Sequence, residues 1–111
     1  MTTGQELSEL IYATALARVP LGGAIAEVER SSQGVLIFGR QPRGVRGVYH
    51  PPTCVQLAAS DGGVRAIILG GRPGIPVNAE LFSLQLVGYQ AQEVADDALN
   101  RVSTYLAEST N

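Results

Sequence analysis

The spacing of apolar positions predicts a helix near each end of the chain. Over residues 5–19 the positions of one face recur at intervals of three and four, the period of a helix with one buried side. They are Leu7, Leu10, Ile11, Thr14, Ala15 and Arg18, with Ala13, Leu16 and Ala17 broadening the apolar side. Residues 91–107 repeat the pattern, and their apolar face is formed by Val94, Ala98, Val102, Tyr105 and Leu106. Each helix therefore has an apolar stripe to bury.

Between the helices the pattern predicts about five β-strands. Residues 24–30 alternate apolar and charged positions, which is typical of a half-buried strand with Glu27 and Glu29 facing water. Residues 35–38 are apolar on both faces and complete a hairpin with that strand. Residues 54–59 and 64–69 form a second hairpin around a glycine turn. Residues 80–89 favour a strand, because every second residue from Phe82 to Leu86 is large and apolar, with a short helix as the alternative.

These elements predict a single α+β domain over residues 1–111. Short connections favour an antiparallel meander, and two helices with one stripe each bury it most simply on one face of the sheet. The expected architecture is a two-layer sandwich, an antiparallel meander of about five strands with N- and C-terminal helices. Because the second strand lacks a polar face, we expect a second copy of the chain to cover the opposite side, which would make the protein a homodimer.

Composition narrows the function classes. The chain has 111 residues, of which 45% are hydrophobic and 16% charged, so it should fold. Its net charge of −2 gives it no general attraction for nucleic acid or anionic membranes. Two phenylalanines and no tryptophan leave little surface for stacking bases. No apolar run reaches the roughly 18 residues that span a bilayer, and the N-terminus lacks the basic region of a secretory signal. We therefore expect a cytoplasmic protein.

Several chemistries are excluded by missing residue types. The chain contains no lysine, which excludes a Schiff-base lysine and the lysine of a phosphate-binding P-loop. Its single cysteine, Cys54, excludes an internal disulfide and a cysteine-based zinc cluster. His50 is the only histidine and has no ligand partner at metal-binding spacing, so no metal or cofactor is expected.

The connection between the second and third strands, residues 39–53, is the strongest candidate for a site. It is far longer than a hairpin loop and contains three of the eight arginines, the histidine and three of the six prolines. Because alternate strands of a meander end at the same edge, its arginines should lie beside Arg72, which follows the fourth strand. The predicted ligand-binding residues are Arg40, Arg43, Arg46, Tyr49, His50 and Arg72.

A guanidinium presents a rigid fork of donors that matches carboxylate or phosphate. The leading hypothesis is therefore a non-catalytic binding module that recognises an anionic small molecule or an acidic protein surface. One alternative is that the arginines are solvated loop charges whose neighbouring glycines and prolines only make turns. A second is a small enzyme in which His50 and an arginine polarise an anionic substrate. A third is a purely structural subunit of an oligomer.

No residue is assigned a catalytic role. His50 and Cys54 lie four positions apart, which suggests a thiolate–imidazole pair, but two intervening prolines favour an extended chain that would separate them by about 13 Å. Cys54 is instead interpreted as a buried small hydrophobe. Glu27 and Glu29 share one face of a strand and are interpreted as its solvent side rather than as a catalytic carboxylate pair.

Overall fold

The computed structural model describes residues 2–41, 50–87 and 90–110, in which five strands lie between two helices. Helix α1 spans Gly4–Arg18 and helix α2 spans Ala91–Thr110, with a 3-10 turn, Val19–Leu21, directly after α1. The strands are β1 (Ile25–Ser31), β2 (Gly34–Gly39), β3 (Cys54–Ser60), β4 (Gly63–Gly70) and β5 (Glu80–Gln85).

The strands form one antiparallel sheet in the order β1-β2-β3-β4-β5, so each strand pairs with its neighbours in sequence. The α+β architecture expected from the sequence is confirmed. The strand interpretation of residues 80–89 is correct over Glu80–Gln85. Among the described residues, neither helix is both long and apolar enough to cross a bilayer.

Local chemistry fixes where α1 begins. The hydroxyl of Thr3 accepts a hydrogen bond from the Glu6 amide at 3.1 Å, which caps the first turn. The Gly4 amide donates to the Asp61 carboxylate at 2.7 Å and so ties this helix end to the turn between β3 and β4. A carboxylate is favourable there because helix N-termini carry unpaired N–H groups and a partial positive charge.

Both helices pack on one face of the sheet, and the core lies between the layers. From α1 the buried residues are Leu7, Ile11 and Ala15. The prediction that Ala13, Leu16 and Ala17 widen this face is wrong, because they lie on the side of α1 that neither the sheet nor α2 covers, and Leu16 is 47% exposed. From the strands, the largest buried residues are Ile25, Val35, Ile37, Val55 and Leu57.

Helix α2 buries a wider stripe than the sequence predicts. Ala95 and Leu99 are fully buried in addition to the expected face, whereas Tyr105 is only half-buried. The reason is that α2 contacts α1 as well as β2, β4 and β5. Two neighbours bury two adjacent sides of one helix, which a single-stripe pattern does not anticipate.

On the other side of the sheet, here called the distal face, the described residues place no helix. One cross-strand row on it consists of Glu29, Leu36, Gln56, Ile67 and Glu80. Glu27 and Glu29 are exposed, as predicted, while Leu36, Phe38 and Ile67 are half-buried. The distal face therefore has apolar residues on β2 and β4, with Gln56 of β3 between them, and charged residues towards its two edges.

Candidate functional site

Strands β2 and β4 end at the same edge of the sheet. Phe38 of β2 and Gly70 of β4 both pair with Cys54, the first residue of β3, from opposite sides. The Gly39 amide donates to the Thr53 carbonyl at 2.8 Å, and a methyl group added at Gly71 would lie 3.0 Å from the Thr53 hydroxyl oxygen. We call this edge, formed by residues 39–40, 50–53 and 70–72, the rim.

Arg40 leaves the rim on the side of β1. Its side chain is exposed, and its Nε donates to the carbonyl oxygen of Gly23 at 2.8 Å. The contact follows from the register, in which Ile25 at the start of β1 pairs with Gly39 at the end of β2. The guanidinium is thus held over the entry to β1 by one of its donors.

Arg72 leaves the rim on the side of α2. It is half-buried, and its Nε donates to the carbonyl oxygen of Ser109 at 3.0 Å. Carbonyls in the last turn of a helix lack partners within the helix and carry a partial negative charge, so a guanidinium is stabilising there. The last turn of α2 has no basic residue of its own, a weak sequence signal that another element supplies the cation.

The remaining predicted residues divide into two groups. His50 is half-buried and precedes Thr53 of the rim by three positions. Arg43, Arg46 and Tyr49 lie outside the described residues. The fold therefore brings Arg40 and Arg72 to one edge of the sheet, and His50 precedes the first residue of β3 at that edge by four positions. Sequence reasoning missed Gly23 and Ser109, whose carbonyls accept from Arg40 and Arg72.

The arginines of the described residues differ in their partners. Four of them pair with carboxylates: Arg18 with Asp96 at 3.5 Å, Arg30 with Glu9 at 2.7 Å, Arg65 with Glu80 at 2.7 Å and Arg101 with Asp97 at 3.1 Å. Within the same parts of the chain, Arg40 and Arg72 have hydrogen bonds to main-chain carbonyls but no ion pair. Of the six described guanidiniums, the two without a carboxylate partner are thus the two at the rim.

Cys54 has the chemistry of a buried thiol. It is 8% exposed, and burial together with the nearby Glu29 charge raises its pKa from 9.0 to about 11. Because the thiolate is the nucleophilic form, a thiol protonated at neutral pH is a poor nucleophile. Among the described residues, no three His, Cys, Asp or Glu side chains cluster as metal ligands would.

The chain matches no protein-family model, no curated protein and no solved structure.

Proposed function

We propose that the protein is a non-catalytic binding module that holds an anionic ligand, or an acidic patch of a partner protein, at the rim. The observation that supports this most directly is the unmatched charge of Arg40 and Arg72, when the other four described arginines all have carboxylate partners. A guanidinium that lacks an internal counter-charge remains available to an external carboxylate or phosphate.

The hydrogen bonds at the rim favour this role because they orient the arginines without neutralising them. In each case Nε is the atom that donates to a main-chain carbonyl. An arginine has five N–H donors, so the terminal nitrogens can still form the two parallel bonds of a bidentate contact. A side chain that is already positioned also loses less conformational entropy when it binds.

We also infer that two copies associate through the distal face. Its half-buried apolar centre, Leu36, Phe38 and Ile67, is the kind of patch that a partner surface covers. A two-fold axis parallel to the strands and centred on β3 would lay β1 of one copy across β5 of the other. An axis across the strands would instead place β1 on β1 and bring its exposed glutamates together, which like-charge repulsion disfavours.

Isothermal titration with inorganic phosphate, citrate and a hexaglutamate peptide tests the rim. At least one of these anions should bind, more weakly as salt increases. Binding of phosphate or citrate alone would indicate a small-molecule site, and binding of the peptide alone an acidic partner. The Arg40→Gln/Arg72→Gln variant should lose at least about tenfold in affinity, because each charge-assisted bond contributes roughly 1.5–3 kcal/mol.

The matched control is Arg65→Gln. It removes an exposed guanidinium that lies away from the rim and is already paired with Glu80. Because Arg72 also stabilises the end of α2, its loss should lower the free energy of unfolding by about 0.5–1 kcal/mol, and titrations are compared only where thermal scans show folded protein. Absence of binding by all three anions, or an equal loss of affinity in Arg65→Gln, would contradict the proposal.

A further inference from the structure

The two edge strands of the sheet, β1 and β5, differ in how they are protected against pairing with a further strand. On β1, the charged side chains of Glu27, Glu29 and Arg30 are all exposed. Arg30 also pairs with Glu9 of α1 at 2.7 Å and lies 4.1 Å from the centre of the Tyr12 ring. Charged side chains along an edge strand discourage another strand from pairing with it. The β1 edge is therefore closed to strand addition.

Strand β5 lacks this protection. Its only charged residue is Glu80, which Arg65 of β4 engages at 2.7 Å, and none of its six residues is buried. The Leu86 amide donates to the carbonyl oxygen of Gly62, just before β4, at 3.0 Å, so the main-chain groups of Leu86 face β4. Because the direction alternates along an antiparallel strand, the N–H and C=O groups of Ser83 and Gln85 face away from the sheet. The β5 edge can accept one more strand.

A groove runs between this edge and helix α2. One cleft, of about 450 Å³, has Ser83 and Gln85 on the strand side and Glu93 and Asp97 on the helix side. A second, of about 320 Å³, lies between Phe82 on β5 and Thr104 and Glu108 on α2. Both clefts are lined by Arg101, so they form one continuous surface along β5, here called the β5 groove.

The charge of the β5 groove is negative. Arg101 is held by Asp97 at 3.1 Å and lies 5.8 Å from the centre of the Phe82 ring, so its charge is already matched. Glu93 and Glu108 are exposed on the helix side, one in each cleft. Of the described residues, three carboxylates thus face the groove against one guanidinium, and the surface is complementary to a cationic segment.

We propose that the β5 groove is the docking site for an extended, basic segment of another protein, which adds to the sheet as a sixth strand. Main-chain hydrogen bonds to Ser83 and Gln85 would provide affinity, as in other cases of strand addition. Side chains alternate between the two faces of a strand, so every second residue of the segment would face α2 and reach the carboxylates. The preferred segment carries lysine or arginine at alternate positions.

A second copy of this chain fits the groove less well. Its own β5 edge would bring the same three carboxylates and single guanidinium to the junction, so like charges would meet. The face-to-face dimer described above leaves both β5 edges accessible, and the two interactions are compatible.

The direct test is titration of the full chain with a six-residue peptide of alternating lysine and valine, followed by amide chemical shifts and calorimetry. Shifts should concentrate on β5 and α2. The matching glutamate–valine peptide should not bind, and Glu93→Gln/Glu108→Gln should weaken the lysine peptide at least about fivefold. The control variant, Glu27→Gln/Glu29→Gln on the opposite edge, should bind as the parent does.

Main-chain pairing is tested separately by N-methylating the peptide at alternate residues, in both registers. One methylated peptide should lose at least about tenfold in affinity and the other should bind normally, because only one set of N–H groups faces β5. Ser83→Pro removes an N–H group of β5 that faces away from the sheet, so this variant should also bind the unmethylated peptide at least about tenfold more weakly. Equal affinity of both methylated peptides, or a dimer that Ser83→Pro converts to monomer, would overturn the proposal.

Discussion

At the scale of single residues, the Cys54 thiol makes stability depend on alkaline pH. Its pKa rises from 9.0 to about 11 on folding, so the folded state holds this proton more tightly than the unfolded chain. The associated stabilisation is fully present below pH 9 and is lost as the pH rises from about 9 to about 11. The expected loss in the free energy of unfolding is roughly 2 kcal/mol.

Urea unfolding at pH 8 to 11 measures this loss, with Cys54→Ala as the comparison. Burial also raises the pKa of Tyr105, which contributes a loss of the same sign in both proteins. The difference between the two curves therefore isolates the thiol. Parallel curves for the parent and Cys54→Ala would show that Cys54 titrates alike in the folded and unfolded states.

At the scale of elements, the geometry of the two hairpins requires a glycine at the first residue of β2 and of β4. Gly34 and Gly63 begin β2 and β4 with φ angles of 138° and 152°. A Cβ added at either would collide with a carbonyl oxygen of the next strand, that of Leu57 or Leu84. Glycine is required there because the neighbouring strand approaches the bare Cα and because other residues rarely adopt such φ values.

Gly63→Ala should therefore lower the free energy of unfolding by at least about 2 kcal/mol. Gly62→Ala is the matched control one residue earlier, where the added Cβ has nothing within 4 Å and φ is not positive. That variant should change stability by less than about 1 kcal/mol. Denaturant unfolding of the two variants measures these changes. Similar losses in the free energy of unfolding would contradict the steric explanation.

The helices and strands also differ in how well the sequence predicts them. Alternation and glycine turns predict the strands well, because a half-buried strand leaves a period of two whatever covers it. The buried faces of the helices are harder. Leu16 follows helical spacing yet is exposed, and Leu99 is buried although it lies outside the predicted stripe. Burial there depends on contact between α1 and α2, which neither helix encodes alone.

At the scale of the whole molecule, topology predicts part of the site. Arg40 and Arg72 reach one edge simply because β2 and β4 run in the same direction through a meander. Their hydrogen-bond partners, Gly23 and Ser109, are 17 and 37 residues away in sequence. Those contacts depend on where β1 begins and where α2 ends over the rim. The β5 groove was not predicted for a similar reason, since it exists only once α2 lies beside an edge strand.

The distal face provides the last prediction, a dimer that one substitution should dissociate. Phe38→Glu places a charge in the half-buried apolar centre of that face. If two copies pack there, the buried carboxylates cannot be solvated, and the dimer dissociation constant should rise at least about 100-fold. Leu16→Glu is the control, because Leu16 is an exposed apolar residue of α1 on the helical side.

Sedimentation of the three proteins over a range of concentrations distinguishes the possibilities. The parent and Leu16→Glu should sediment as dimers, and Phe38→Glu as a monomer with an unchanged circular dichroism spectrum. If Leu16→Glu alone dissociates, the copies meet through the helices instead. A parent that stays monomeric at tens of micromolar would mean that the apolar centre of the distal face is too small or too well shielded by Glu27 and Glu29 to drive association.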